Sequence, residues 1–106
     1  VIITTGEFIH GKHVSKTLGL VYGNTIRARH MGRDIAAVIR SMVGGEIKDY
    51  TKMMAESREQ AIDRMLEEAK KLGANAIIQT RFSTSSMLQG AAEFLVYGTA
   101  VIVEDD

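Results

Sequence analysis

From Asp49 to Leu72 the chain carries its longest regular pattern, followed at once by Gly73 and the run Ala74-Asn75-Ala76-Ile77-Ile78. Tyr50, Met53, Met54, Ser57, Ala61, Met65, Leu66, Ala69 and Leu72 recur three and four apart, with Lys52, Glu56, Glu59, Asp63, Glu67 and Lys70 mostly opposite. That period predicts one amphipathic helix. The span contains neither Pro nor Gly and is built of good helix formers. Asp49 is placed to cap the first turn, Glu67 and Lys71 to pair across one turn, and Lys70 and Lys71 to meet the negative end of the dipole. Gly73 supplies the left-handed residue that ends a helix at little cost. Such a helix is roughly 35 Å long at 1.5 Å per residue. A compact monomer of this size has a radius of gyration of only about 13 Å. The helix is therefore long for a domain this small, which favours an assembly, and Ala61 and Ala69 on its inner stripe allow a close approach to a sheet.

Strands are expected on both sides of it. Val1–Thr5 is short and β-branched, an edge strand by its pattern. Glycines at 6 and 11 bracket a turn. Val14–Tyr22 alternates, with Val14, Lys16, Leu18, Leu20 and Tyr22 on one face. Gly23-Asn24 reads as a turn, with Thr25–Ala28 pairing back. A shorter helix follows Asp34, with Ile35, Val38, Ile39 and Met42 as its stripe, and Gly44-Gly45 makes a corner before the long helix. After Gly73, Ala74–Thr84 is a strand, with Ala76, Ile78, Thr80 and Phe82 facing one way and Ile77, Gln79, Arg81 and Ser83 the other. The polar run from Ser83, continued to Gly90, reads as a loop. The last strand, Ala92–Val103, has Phe94, Val96, Ala100 and Ile102 on one face and Leu95, Tyr97, Val101 and Val103 on the other. A strand apolar on both faces is covered on both. One cover is the long helix, and the other is the short helix or another subunit.

Composition narrows the function classes. A chain of 106 residues is expected to be one domain spanning 1–106. Thirteen basic and thirteen acidic side chains cancel, which argues against a nucleic-acid or membrane-surface partner. There is no cysteine, so no disulfide, thiolate nucleophile or cysteine metal site can form. No apolar run is long enough to span a bilayer, and the opening residues lack a basic leader. The expected location is cytoplasmic.

Three groups of residues could carry chemistry. His10, His13 and His30 are imidazoles of the kind that bind zinc, nickel or copper, with Glu7 or a neighbouring subunit as further ligands. Glycine at 11 and the turn around it argue against a helical pair, and solvent-exposed histidines are the simpler reading. Arg27, Arg29 and Arg33, with His30, form the one positive concentration and could hold a phosphate or carboxylate. Free amides after Gly44 and Gly45 could add to an anion site, although a geometric corner explains the glycine pair as well. No spacing matches a dinucleotide or P-loop pattern. The carboxylates of Asp34, Glu46, Asp49 and Glu93 show no hydrolase spacing, and Ser83, Ser85 and Ser86 have no partnered base. No catalytic residue or cofactor is assigned, and the methionines read as flexible core filler.

Taken together, Ile3-Thr4-Thr5, Val21-Tyr22-Gly23, Arg33-Asp34, Gly44-Gly45, Tyr50, the helix with Ala55, Arg58, Ala61 and Ala69, then Leu72-Gly73-Ala74-Asn75-Ala76-Ile77 and Tyr97-Gly98-Thr99-Ala100-Val101, resemble the YbjQ-like family. The resemblance covers almost the whole chain in the same order. It implies an α+β two-layer sandwich: an antiparallel or mixed sheet covered by one long helix plus a short helix, with dodecin-like subunit topology. It also implies assembly with other copies of itself into homopentameric rings, with short extra strands joining neighbours. The family's activity is not established. Its heavy-metal-binding label meets a chain without cysteine, whose three histidines lie outside the matching motifs. Thr25–Met31 is more basic here than the family pattern leads one to expect. The expected function is accordingly a ring-forming structural or small-ligand-binding protein. Heavy-metal binding through the histidines is the alternative, and an enzyme with an intersubunit site a third possibility.

Overall fold

Gly73 ends the long helix by the predicted device. In the computed structural model, which describes residues 1–28, 47–86 and 91–106, helix α1 spans Ile47–Lys71. Gly73 takes φ +84°, its N–H donates to the Lys70 carbonyl, and the Ala74 N–H reaches back to the Ala69 carbonyl. These two bonds form a Schellman motif and satisfy carbonyls that the helix would otherwise leave open. Ser57, Ala61, Met65 and Ala69, four apart, are buried. The charged residues from Lys52 to Lys70 named above are exposed. Lys71 pairs with Glu68 at 3.4 Å rather than with Glu67, an i,i+3 contact in place of the expected i,i+4 one.

The helix lies on a mixed four-stranded sheet. The strands are β1 (Ile2–Ile3), β2 (Lys12–Ala28), β3 (Ala76–Ser86) and β4 (Ala91–Asp105). Their order across the sheet is β1-β3-β4-β2. β1 runs parallel to β3, while β4 runs antiparallel to both β3 and β2. The fold is therefore α+β, with one long helix covering the sheet. The short helix expected after Asp34 lies outside the described residues.

The helix starts at Ile47, which puts Asp49 inside its first turn and not at the cap, and two boundaries in the strands differ from the sequence reading. Gly23-Asn24 is not a turn: β2 runs straight through it for 17 residues, pairing with β4 as far as Ala28 opposite Ala91. At a rise of about 3.3 Å per residue such a strand accounts for the molecule's 54 Å longest dimension. The glycine serves packing instead. A Cβ on Gly23 would stand 2.1 Å from the Ala61 carbonyl oxygen and 2.6 Å from the Met65 nitrogen, so the helix backbone rests directly on the strand. The second difference is the serine-rich stretch, which belongs to β3 as far as Ser86 and pairs with β4 there. Polarity suggested a loop, but a strand with exposed positions accepts serine and threonine equally well.

Bulges also shift the predicted faces. Register slips between Val14 and Lys16 and between Thr17 and Gly19, where φ is +127°, break the alternation of β2. Leu18 and Val21 consequently share the helix side, and Leu20 and Tyr22 do not. In β3 a slip between Ile78 and Arg81 has Gln79 at φ +52°, a left-handed position unusual for a side-chain-bearing residue. The amides of Gln79 and Thr80 turn from β4 to the carbonyls of Gly6 and Thr4. Thr80 is therefore not on one face with Ala76 and Ile78 through simple alternation; it sits buried beside Gly98.

The core has two sides. Beneath α1 lie Val21, Ile77, Val96 and Ala100 with Ala61, Met65 and Ala69. On the opposite face Ala76, Val101 and Val103 are buried with Ile9 and Ile78 against them. Each large side chain fully buried here contributes about 1.5–3 kcal/mol. The double apolar character of β4 is thus explained partly within the chain: the N-terminal turn carrying Ile9 supplies cover that was expected from the short helix or a neighbour. Asn75 locks the start of β3 to β4. Its side-chain amide donates to the Val103 carbonyl at 3.0 Å and accepts from the Val103 N–H at 2.8 Å.

Candidate functional site

The longest strand of the sheet is also one of its two edge strands. β2 has β4 on one side and no described strand on the other. An edge strand leaves a row of backbone donors and acceptors unpaired, and proteins usually shorten such edges, twist them away or charge them. Here the edge stays long; His13, Lys16 and two bulges mark its first half, but the outward side chains from residue 20 to 26 are apolar apart from Asn24. Gly23 and Thr25 face α1, so by alternation Leu20, Tyr22, Asn24 and Ile26 face away. Leu20 is 70% exposed, Tyr22 57% and Ile26 53%. Tyr97 of β4 is Tyr22's direct cross-strand partner, and it too is exposed. Arg81 of β3 lies opposite Tyr97 on its other side. One row across this face therefore reads arginine, tyrosine, tyrosine.

Beside the same edge, β2 and the second half of α1 enclose a trough of about 510 Å³. Residues 20–24 of β2, including the helix-facing Val21 and Gly23, line it along the strand, and Arg64, Glu67 and Lys71 line it from the helix. Arg64 Nη1 donates to the Asn24 carbonyl at 2.6 Å, and Asn24 Nδ2 donates to Glu93 Oε2 at 3.1 Å. These bonds fix the strand against the helix and against β4 without closing the trough.

Two of the candidate metal ligands, His10 and His13, lie among the described residues. His10 stands exposed in the turn before β2. His13 pairs with the chain's acidic end: its Nδ1 is 2.9 Å from Asp106 Oδ1 and its Nε2 is 3.8 Å from Glu104 Oε2. Next to it Lys12 Nζ meets Asp105 Oδ1 at 2.5 Å. Hydrogen bonding and charge from Lys12 hold the Asp105 carboxyl below its ordinary value. Among the described residues, no three His, Asp or Glu side chains gather where they could hold a metal. His30 lies outside the described residues. So do Arg29, Arg33, Gly44 and Gly45 of the expected anion site, whereas Arg27 lies in β2 opposite Ala92.

With this geometry in view, comparison with known proteins places the chain. The YbjQ family model, described as "Putative heavy-metal-binding", matches residues 1–104. The chain belongs to this family. A UPF0145 protein of Dehalococcoides mccartyi is 59% identical over 97% of this chain and 99% of its own length. UPF0145 proteins of Thermosipho africanus and Archaeoglobus fulgidus are 53% and 52% identical, covering 97% and 95% of this chain and 95% and 94% of their own. Among solved structures, a protein of unknown function from the DUF74 family of Pediococcus pentosaceus superposes with a TM-score of 0.68, at 18% identity, over 98% of each chain. That likeness shows a shared fold. None of the described helices of this YbjQ family member is long and apolar enough to cross a membrane.

Sequence reading missed the outward row of Leu20, Tyr22 and Ile26, because it assigned a turn at Gly23-Asn24 and could not see the bulges. The available signal was Val21-Tyr22-Gly23 itself: an aromatic between a β-branched residue and a glycine suits a strand on which another element lies closely.

Proposed function

We propose that this chain is a subunit of a self-assembling structural or small-ligand-binding protein, a homopentameric ring, and that β2 is the element through which copies meet. One observation carries the reading: among the described residues no strand pairs with the outer side of the 17-residue β2, and Leu20, Tyr22 and Ile26 stand exposed along it. With Tyr97, these side chains are on the scale of the largest apolar patch that a monomer typically shows, about 300–600 Å². A standard interface buries about 800 Å² on each partner, so a contact here would extend beyond these four residues. Backbone pairing along the edge would supply the directional part of the contact, and the tyrosines the buried area. Ring closure, as distinct from a two-fold dimer, is supported by the family resemblance alone. Light scattering on the purified chain and on Leu20→Lys with Tyr22→Lys tests the reading. The expected result is an assembly that the double substitution dissociates; assembly unaffected by it would move the contact elsewhere.

The family description favours heavy-metal binding as the second reading. Its residues on this chain would be His10, His13 and His30. Metal analysis of untagged protein, followed by zinc, nickel and copper titration, tests it. The absence of binding tighter than about 10 µM would retire it, since imidazole sites for these ions are ordinarily much tighter.

A further inference from the structure

We draw no further inference here: the strongest candidate, the trough between the outer edge of β2 and the second half of α1, opens on the edge already assigned to assembly and holds no buried unpartnered polar group or bound species that would say what else fills it.

Discussion

The backbone of Ala61 sits where a side chain on residue 23 would have to be: a Cβ added at Gly23 comes within 2.1 Å of the Ala61 carbonyl oxygen. Gly23 lies in extended strand, so the glycine is required by the helix above it and not by its own backbone conformation. The contact sets how closely α1 approaches β2, and so fixes the wall of the trough and the position of the open edge.

Gly23→Ala is therefore expected to force the helix off the strand and destabilise the fold by about 2–4 kcal/mol, at or above the upper range for overpacking, because the obstacle is backbone. Chemical denaturation measures it. Gly6→Ala is the control: its nearest neighbours would be 3.7 Å away, and a change within about 0.5 kcal/mol is expected.

Gln79→Gly is expected to stabilise the protein by up to about 1 kcal/mol. Gln79 holds a left-handed φ of +52° in the β3 bulge and is exposed. Glycine adopts that conformation without the Cβ clash, partly offset by its greater freedom when unfolded. A fall in the denaturation midpoint would show that the side chain contributes more than its backbone costs.

Asn75→Ala removes the paired bonds to Val103 and leaves that residue's N–H and carbonyl without their partner; the expected loss is about 1–3 kcal/mol. Asn75→Asp adds a pH signature. A carboxylate keeps the acceptor for the Val103 N–H but faces the Val103 carbonyl where a donor stood. The protonated acid restores that donor, so its folded-state pKa is raised. The variant's stability should then be best below the ordinary carboxyl range and fall as pH rises through it, when compared with wild type. Urea melts across pH 3–7 test this.

The Lys12–Asp105 pair predicts the opposite sign. Lys12 depresses the Asp105 pKa in the folded state. The pair's contribution is thus present above the unfolded carboxyl pKa and is lost as pH falls through the lower folded value. The Asp105 carboxylate is largely open to solvent, while Lys12 is 31% exposed, so the direct measurement is an NMR titration of the Asp105 carboxyl. Its midpoint should rise toward the ordinary value in Lys12→Gln. An unchanged midpoint would remove Lys12 as the cause.

How much of this was legible depends on the element. α1 could be read closely because its signals agree: the period from Ser57 to Ala69, the absence of breakers, and the Gly73 stop all point one way. The two faces of β4 were equally clear from alternation, since Phe94 and Val96 face the helix and Val101 and Val103 the other side. The strands that pair with β4 were harder. Bulges at Thr17–Gly19 and Ile78–Arg81 change which residues face the core, and a bulge is set by partners far away in sequence. Gly23 misled for a related reason: local chemistry made Gly-Asn a turn, while the decisive neighbour, Ala61, is 38 positions on. The histidines were visible as residue types, but only the tertiary structure set His13 against Glu104 and Asp106.

Sedimentation velocity of the unmodified chain at micromolar concentration tests the central claim most directly. A single species of about 58 kDa, five times the 11.6 kDa chain mass, is the predicted result, and it should disappear in Leu20→Lys with Tyr22→Lys. A stable 11.6 kDa monomer, with the β2 edge open in solution, would contradict it.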